Sequence, residues 1–131
     1  EATPPADVAV VACHACGVLA DELIRVCLDA KVSFAVMPCC HGERGARGNM
    51  VRDLHRNFGV KQDMVYDFMR LGVIDATPAF AAKLRTIDAS ITPMNRIIMG
   101  VRESPEMQEK QQLQRLEDLG RKAAHGKFMS Q

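Results

Sequence analysis

The sequence predicts an α/β fold built on parallel strands, and three observations carry that expectation. Val8 to Ala12 is an unbroken run of small apolar residues that stops at Cys13-His14-Ala15-Cys16-Gly17. A short apolar run bounded by a glycine turn fits a strand buried on both faces. The same event recurs at Val32 to Met37, which stops at Pro38-Cys39-Cys40-His41-Gly42. Between the two lies a stretch of helical period, so strand, helix and strand alternate. Functional groups in open α/β sheets collect just past the carboxyl ends of the strands. Two adjacent parallel strands would therefore bring both Cys/His tips to one edge.

Each element has its own sequence signal. Glu1 to Asp7 holds Pro4-Pro5 and reads as a linker. The first strand is Val8 to Cys13. The first helix runs from Leu19 to Ala30, with Leu19, Leu23 and Cys27 in one row and Ile24 and Leu28 in the next, a face that packs on a sheet. A very short connection leads to the second strand, Val32 to Met37. His41 to Gly48 carries three glycines and reads as a loop. Asn49 to Phe58 has Met50, Leu54 and Phe58 at i, i+4, i+8, with Asn49 as N-cap and Gly59 as stop. Gln62 to Leu71 is a further helix with Met64, Val65, Phe68 and Met69 on one side, and Asp75 to Pro78 is irregular.

Ala81 to Ile87 and Arg96 to Val101 are strand candidates, and the short connection between them favours antiparallel pairing. Ser104 as N-cap and Pro105 at the first helical position open a last helix. Glu106 to Leu119 is polar almost all round, with a thin stripe of Met107, Leu113, Leu116 and Leu119. Gly120 reads as its stop and Arg121 to Gln131 as a basic tail. The chain thus divides into a linker at 1–7, an α/β unit at 8–102, and a helical extension with a basic tail at 103–131.

The totals narrow the class. With 131 residues and 47% hydrophobic content, the chain can build one small core and is not a disordered segment. A net charge of +1 makes no demand for nucleic acid or an anionic membrane. No apolar run approaches the roughly 18–20 residues that span a bilayer. Five cysteines, four of them crowded at two strand ends beside histidines, suit a reducing compartment better than a disulfide scaffold.

Three separated motifs now stand in order: His14-Ala15-Cys16-Gly17 followed by Ala20-Asp21, then Pro38-Cys39-Cys40-His41-Gly42, then Ile87-Asp88 with Ile91-Thr92-Pro93-Met94-Asn95-Arg96. Over about Val8 to Val101 this pattern resembles one branch of the class I methyltransferases that use S-adenosylmethionine. The methyltransferase domain attached to some glutathione-transferase-like proteins is similar, as are, more distantly, some RNA methyltransferases with a His-x-Cys-Gly motif. The resemblance implies the carboxyl-terminal half of a Rossmann-like sheet, its fourth to seventh strands, the last one antiparallel. It implies that CHACG, PCCHG and ITPMN converge on one cleft. It also implies S-adenosylmethionine as cofactor, held by a glycine-rich turn and an acidic residue that the family carries earlier in its sheet. No such turn precedes Val8 in this sequence. The expected partner is therefore a chain or segment that supplies the first three strands and covers the edge of the first strand. Two functions follow. One is part of a methyltransferase acting on RNA. The other is a catalytically inactive, methyltransferase-like subunit of a large assembly such as an organellar ribonucleoprotein, with helix 103–120 docking a protein partner.

The resemblance places His14 near donor and acceptor, where a neutral imidazole could take the acceptor's proton; the plainer reading is a strand-end cap bonded to backbone. It places Cys13, Cys16, Gly17, Pro38, Cys39, Cys40, His41 and Asn95 along the substrate cleft. Free Cys also packs as a small hydrophobe, and Asn in a turn is usually structural. Arg44, Arg47, Arg52 and Arg56 form a local basic run that could meet RNA phosphates or simply face solvent. Cys13, Cys16, Cys39, Cys40 and His41 offer soft ligands for zinc. Their spacing matches no standard finger, and adjacent residues at a strand end tend to point opposite ways, so no metal is expected there.

Overall fold

The computed structural model describes residues 8–40 and 45–128. The elements run β1 (Ala9–Cys13), α1 (Val18–Asp29), β2 (Ser33–Met37), α2 (Gly45–Phe58), α3 (Gln62–Asp75), β3 (Phe80–Thr86), β4 (Arg96–Arg102) and α4 (Pro105–Phe128). They form an α/β fold around a four-stranded mixed sheet in the order β1-β2-β4-β3. β1 and β2 are parallel, with Cys13 opposite Met37. β4 runs antiparallel to both β2 and β3, with Val36 opposite Ile98 and Thr86 opposite Arg96. β1, β2 and β3 therefore end on one edge, where β4 begins. The expected linker at 1–7 lies outside the described residues.

The core lies between one face of the sheet and helices α1 and α3. Ala20, Ile24 and Cys27 of α1 and Ile74 of α3 are buried against Phe34, Val36, Phe80 and Ile98. Phe34 and Phe80 meet with ring centroids 6.2 Å apart, within the range of favourable aromatic pairs. A second small cluster of Val51, Val65 and Tyr66 packs α2 against α3.

The buried row of α1 is Ala20, Ile24 and Cys27, at i, i+4, i+7; Leu19, expected in the packing row, is exposed. Ala20, fully buried, takes the place on the sheet expected of Leu19. The end of α1 is a turn that gives partners to the carbonyls of Cys27 and Leu28. Lys31 adopts φ 55, its N–H reaches Leu28, and the N–H of Val32 reaches Cys27. This double closure is the Schellman arrangement, here with lysine where glycine is usual.

Several other expectations are corrected. β1 is not buried on both faces: Val10 and Ala12 turn to the core, while Val11 is 72% exposed. α1 and α3 pack on the same face of the sheet, and among the described residues β1 is an edge strand that pairs with β2. α2 begins at Gly45, inside the expected loop, so Asn49 is an interior residue and not an N-cap. Val51 is buried and Leu54 partly buried, whereas Met50 and Phe58 are exposed, as is Phe68 of α3. α3 continues past Leu71 to Asp75. Gly59 does stop α2, with φ 66 and its N–H on the His55 carbonyl at 2.9 Å. Ser104 caps α4 as expected, its hydroxyl accepting the N–H of Met107 at 3.3 Å. The helix then passes through Gly120, because an exposed glycine lowers helix propensity by only about 1 kcal/mol.

Gly100 is the tightest point of the sheet. It lies opposite Phe34 on the core face, and a Cβ there would overlap the Cε1 and Cζ atoms of that ring. The ring is buried and cannot swing away without opening the core. Gly100→Ala should therefore cost about 1–3 kcal/mol, read as a lower denaturant midpoint with unchanged slope. An unaltered midpoint would show that the ring is free to move.

Candidate functional site

The edge where β1, β2 and β3 end carries the three motifs together. Cys13 ends β1 and His14 follows in a left-handed conformation, φ 58. Gly17 opens α1 with φ 54 and ψ −125, a backbone that a Cβ would strain. A non-glycine residue at positive φ persists only when its surroundings hold it. Here the holding bonds come from the second strand. The N–H of Ala15 donates to the Met37 carbonyl at 3.3 Å and that of Gly17 to the Cys40 carbonyl at 2.9 Å. The CHACG turn is thereby laced to the Pro38-Cys39-Cys40 segment, with Ala15 and Pro38 buried beneath it.

The lacing brings three thiols together. The Sγ atoms of Cys16, Cys39 and Cys40 lie within 4.8 Å of one another, and those of Cys39 and Cys40 are 3.9 Å apart. This corrects the expectation that adjacent cysteines at the strand end point opposite ways. The strand ends at Met37, so the alternation that separates neighbours no longer applies at 39 and 40. Cys16 and Cys40 are exposed and Cys39 is half-buried, whereas Cys27 is the buried core thiol. Hydrogen bonding to Cys39, then to Cys40, pushes the Cys16 thiol up to about 12. Hydrogen bonds from Cys16, from Cys39 and from the Gly17 backbone pull Cys40 below its ordinary value.

The third motif closes the edge. Ile87 and Asn95 bracket the loop between β3 and β4. The Ile87 N–H donates to the Asn95 carbonyl at 3.0 Å, and the Asn95 side-chain amide donates to the Ile87 carbonyl at 2.8 Å. Asp88 accepts the Ser90 N–H at 2.8 Å, a local turn that lowers its carboxyl below the usual range. Asn95 therefore holds the loop through its amide. Cys13 and His14 are exposed at the same edge, and His41 and Arg44 lie outside the described residues. Arg52 and Arg56 are exposed on α2.

Beneath this edge runs a chain of charges that the sequence reading did not single out. Arg70 of α3 is 5% exposed and Asp67 1%. Arg70 Nε donates to Asp21 at 2.9 Å, its Nη1 to Asp67 at 3.3 Å and its Nη2 to the Gly17 carbonyl at 3.4 Å. Arg96 Nε donates to the other oxygen of Asp67 at 2.6 Å, and its Nη2 pairs with Asp63. Asp21 and Arg96, two residues of the sequence motifs, are thus joined through α3. The available signal was a polar row, Asp63, Asp67 and Arg70 at i, i+4, i+7, on a helix that must bury a face.

Two further concavities flank the sheet. One, about 850 Å³, lies between α1 and α3 and includes Asp21, Ile24, Arg70 and Tyr66. The other, about 310 Å³, lies where α4 leaves the sheet, near Phe80, Glu103 and Arg115. Neither includes the thiols. No described helix is long and apolar enough to cross a membrane.

Comparison with known proteins finds short likenesses. Over 32 residues the chain is 50% identical to a glutathione S-transferase C-terminal domain-containing protein of Xenopus laevis, covering 24% of this chain and 5% of that protein. It is 53% identical over 32 residues to the protein of the same description from Bos taurus, with the same coverage. No family model and no solved structure matches.

Burial pushes the Asp63 carboxyl up, but the Arg96 guanidinium outweighs it and holds the group below 3.8. A carboxyl depressed in the folded state adds stability above its unfolded value and loses it as pH falls through the folded value. The stability gap between wild type and Asp63→Asn should therefore be constant near neutrality and close below about pH 4. Chemical denaturation across pH would measure it. A gap that widens in acid would mean the pair does not favour the charged carboxylate.

Proposed function

We propose that this chain is the carboxyl-terminal part of an S-adenosylmethionine-dependent methyltransferase with RNA as its acceptor class. The observation that carries the reading is the topology. Three strands run one way and end at the three motifs, while the last strand runs antiparallel between two of them. That is the arrangement the sequence resemblance implies for the fourth to seventh strands. The short identity to proteins named for a glutathione S-transferase C-terminal domain supports it too, since one similar methyltransferase domain is attached to glutathione-transferase-like proteins. Among the described residues β1 is an edge strand and its Val11 is exposed, which leaves room for the cofactor-bearing strands.

In this reading S-adenosylmethionine, held with the help of the cofactor-bearing strands, would supply the methyl group, and His14 would take the proton that the acceptor loses. His14 is exposed at the motif edge with a left-handed backbone, and Cys13, Gly17 and Asn95 lie at the same edge. Arg52 and Arg56 on α2 supply the phosphate contacts. S-adenosylhomocysteine at saturation should raise the melting temperature of the full-length protein by several degrees. No shift would remove the methyltransferase reading.

A second reading is favoured by α4. Its apolar residues Met107, Leu113, Leu116 and Leu119 are all exposed, and the ion pair that ties it to the α/β unit, Arg115 with Asp75 at 3.6 Å, lies at the surface. Such a pair contributes little. In this reading the chain is a catalytically inactive piece of a larger assembly, held by that helix. Deleting residues 103–131 should then release the protein from its complex in a co-sedimentation experiment, and retained co-sedimentation would count against it.

A further inference from the structure

We propose that Cys16, Cys39 and Cys40 form a binding site for a thiophilic d¹⁰ cation, zinc or copper(I), at the joint between the CHACG turn and the second strand's end. The Sγ atom of Cys16 comes from a segment separated by a whole helix and strand from the adjacent Cys39 and Cys40, yet the three lie within 4.8 Å of one another. At a Zn–S distance of about 2.3 Å, two ligands of a tetrahedron stand about 3.8 Å apart. The Cys39 and Cys40 sulfurs are 3.9 Å apart. Binding would need only a small inward movement of Cys16.

The simple alternative is that these cysteines are small apolar packing residues. Cys27 shows what that looks like here: it is buried with Ile24 and Phe34 in the core cluster. Cys16 and Cys40 are exposed, and the trio faces itself. The frame is also fixed in advance, since the N–H groups of Ala15 and Gly17 bond to the Met37 and Cys40 carbonyls. A preformed frame lowers the ordering cost of capturing an ion. Thiolate donors select zinc and copper(I) over harder cations. Three thiolates leave a fourth position for a solvent or exogenous donor. Each thiol gives its proton to solvent as its sulfur bonds the metal, so no oxidant or reductant is required. The site would clamp the turn that carries His14, and it stands independently of the methyl-transfer reading.

The test is metal analysis of the full-length protein purified under reducing conditions, after dialysis against a weak chelator. About one zinc or copper per chain is expected, and cobalt(II) should give a thiolate-to-metal charge-transfer band. Cys16→Ser and Cys39→Ser should each weaken zinc binding more than about tenfold, while Cys13→Ser should leave it unchanged. If a variant fails to fold, alkylation of the wild type decides instead. Bound zinc should protect Cys16, Cys39 and Cys40 and leave Cys13 reactive. A protein without retained metal or charge-transfer band, equal metal retention in all three variants, or a disulfide within the trio would overturn the proposal.

Discussion

The architecture depends on one buried ionic chain. Asp67 shares its two oxygens between Arg70 and Arg96. Arg70 reaches Asp21 and the Gly17 carbonyl at the start of α1, and Arg96 stands at the first residue of β4. Two arginines and one carboxylate that are largely removed from water demand partners, since an uncompensated buried charge costs several kcal/mol. α1, α3 and β4 can therefore meet in one way only. A hydrophobic core would tolerate sliding of α3 along the sheet; a bifurcated carboxylate between two guanidinium groups does not. The chain of charges fixes where the motif edge lies relative to the helices behind it.

The same constraint explains the division between frame and site. The motif residues pointing inward serve geometry: Asp21, Arg96 and the Asn95 amide are all engaged in holding turns or elements. Those pointing outward, Cys13, His14, Cys16 and Cys40, are exposed on an edge whose backbone is tied across two strands. A strained turn held by its neighbour gives rigid placement to exposed donors, which catalysis and metal capture both require. The opposite shifts of the two thiols, Cys16 pushed up and Cys40 pulled down, come first from the hydrogen bonds that this placement creates.

Uneven covering is the other feature that shapes the molecule. One face of the sheet is closed by α1 and α3, whereas Val11 of the edge strand is open to solvent. Parallel strands are usually covered on both faces and paired on both sides. Val8, Val11, Val18 and Leu19 lie exposed around this edge.

The sequence by itself determined the α/β class, the strand–helix order and the clustering of the motifs at strand ends. Those features are written in local signals: apolar runs, glycine stops, the Ser104-Pro105 cap and the short β3–β4 connection. It also marked Cys16, Cys39 and Cys40 as chemically interesting, but it could not show their convergence. That depends on the Gly17–Cys40 and Ala15–Met37 bonds across two strands. Only the tertiary structure decided that Ala20, not Leu19, packs on the sheet, that β1 is an edge, and that Asp67 and Arg70 are buried. Periodicity tells which residues share a face. It does not tell which face meets the sheet when polar residues on the buried side find each other as partners.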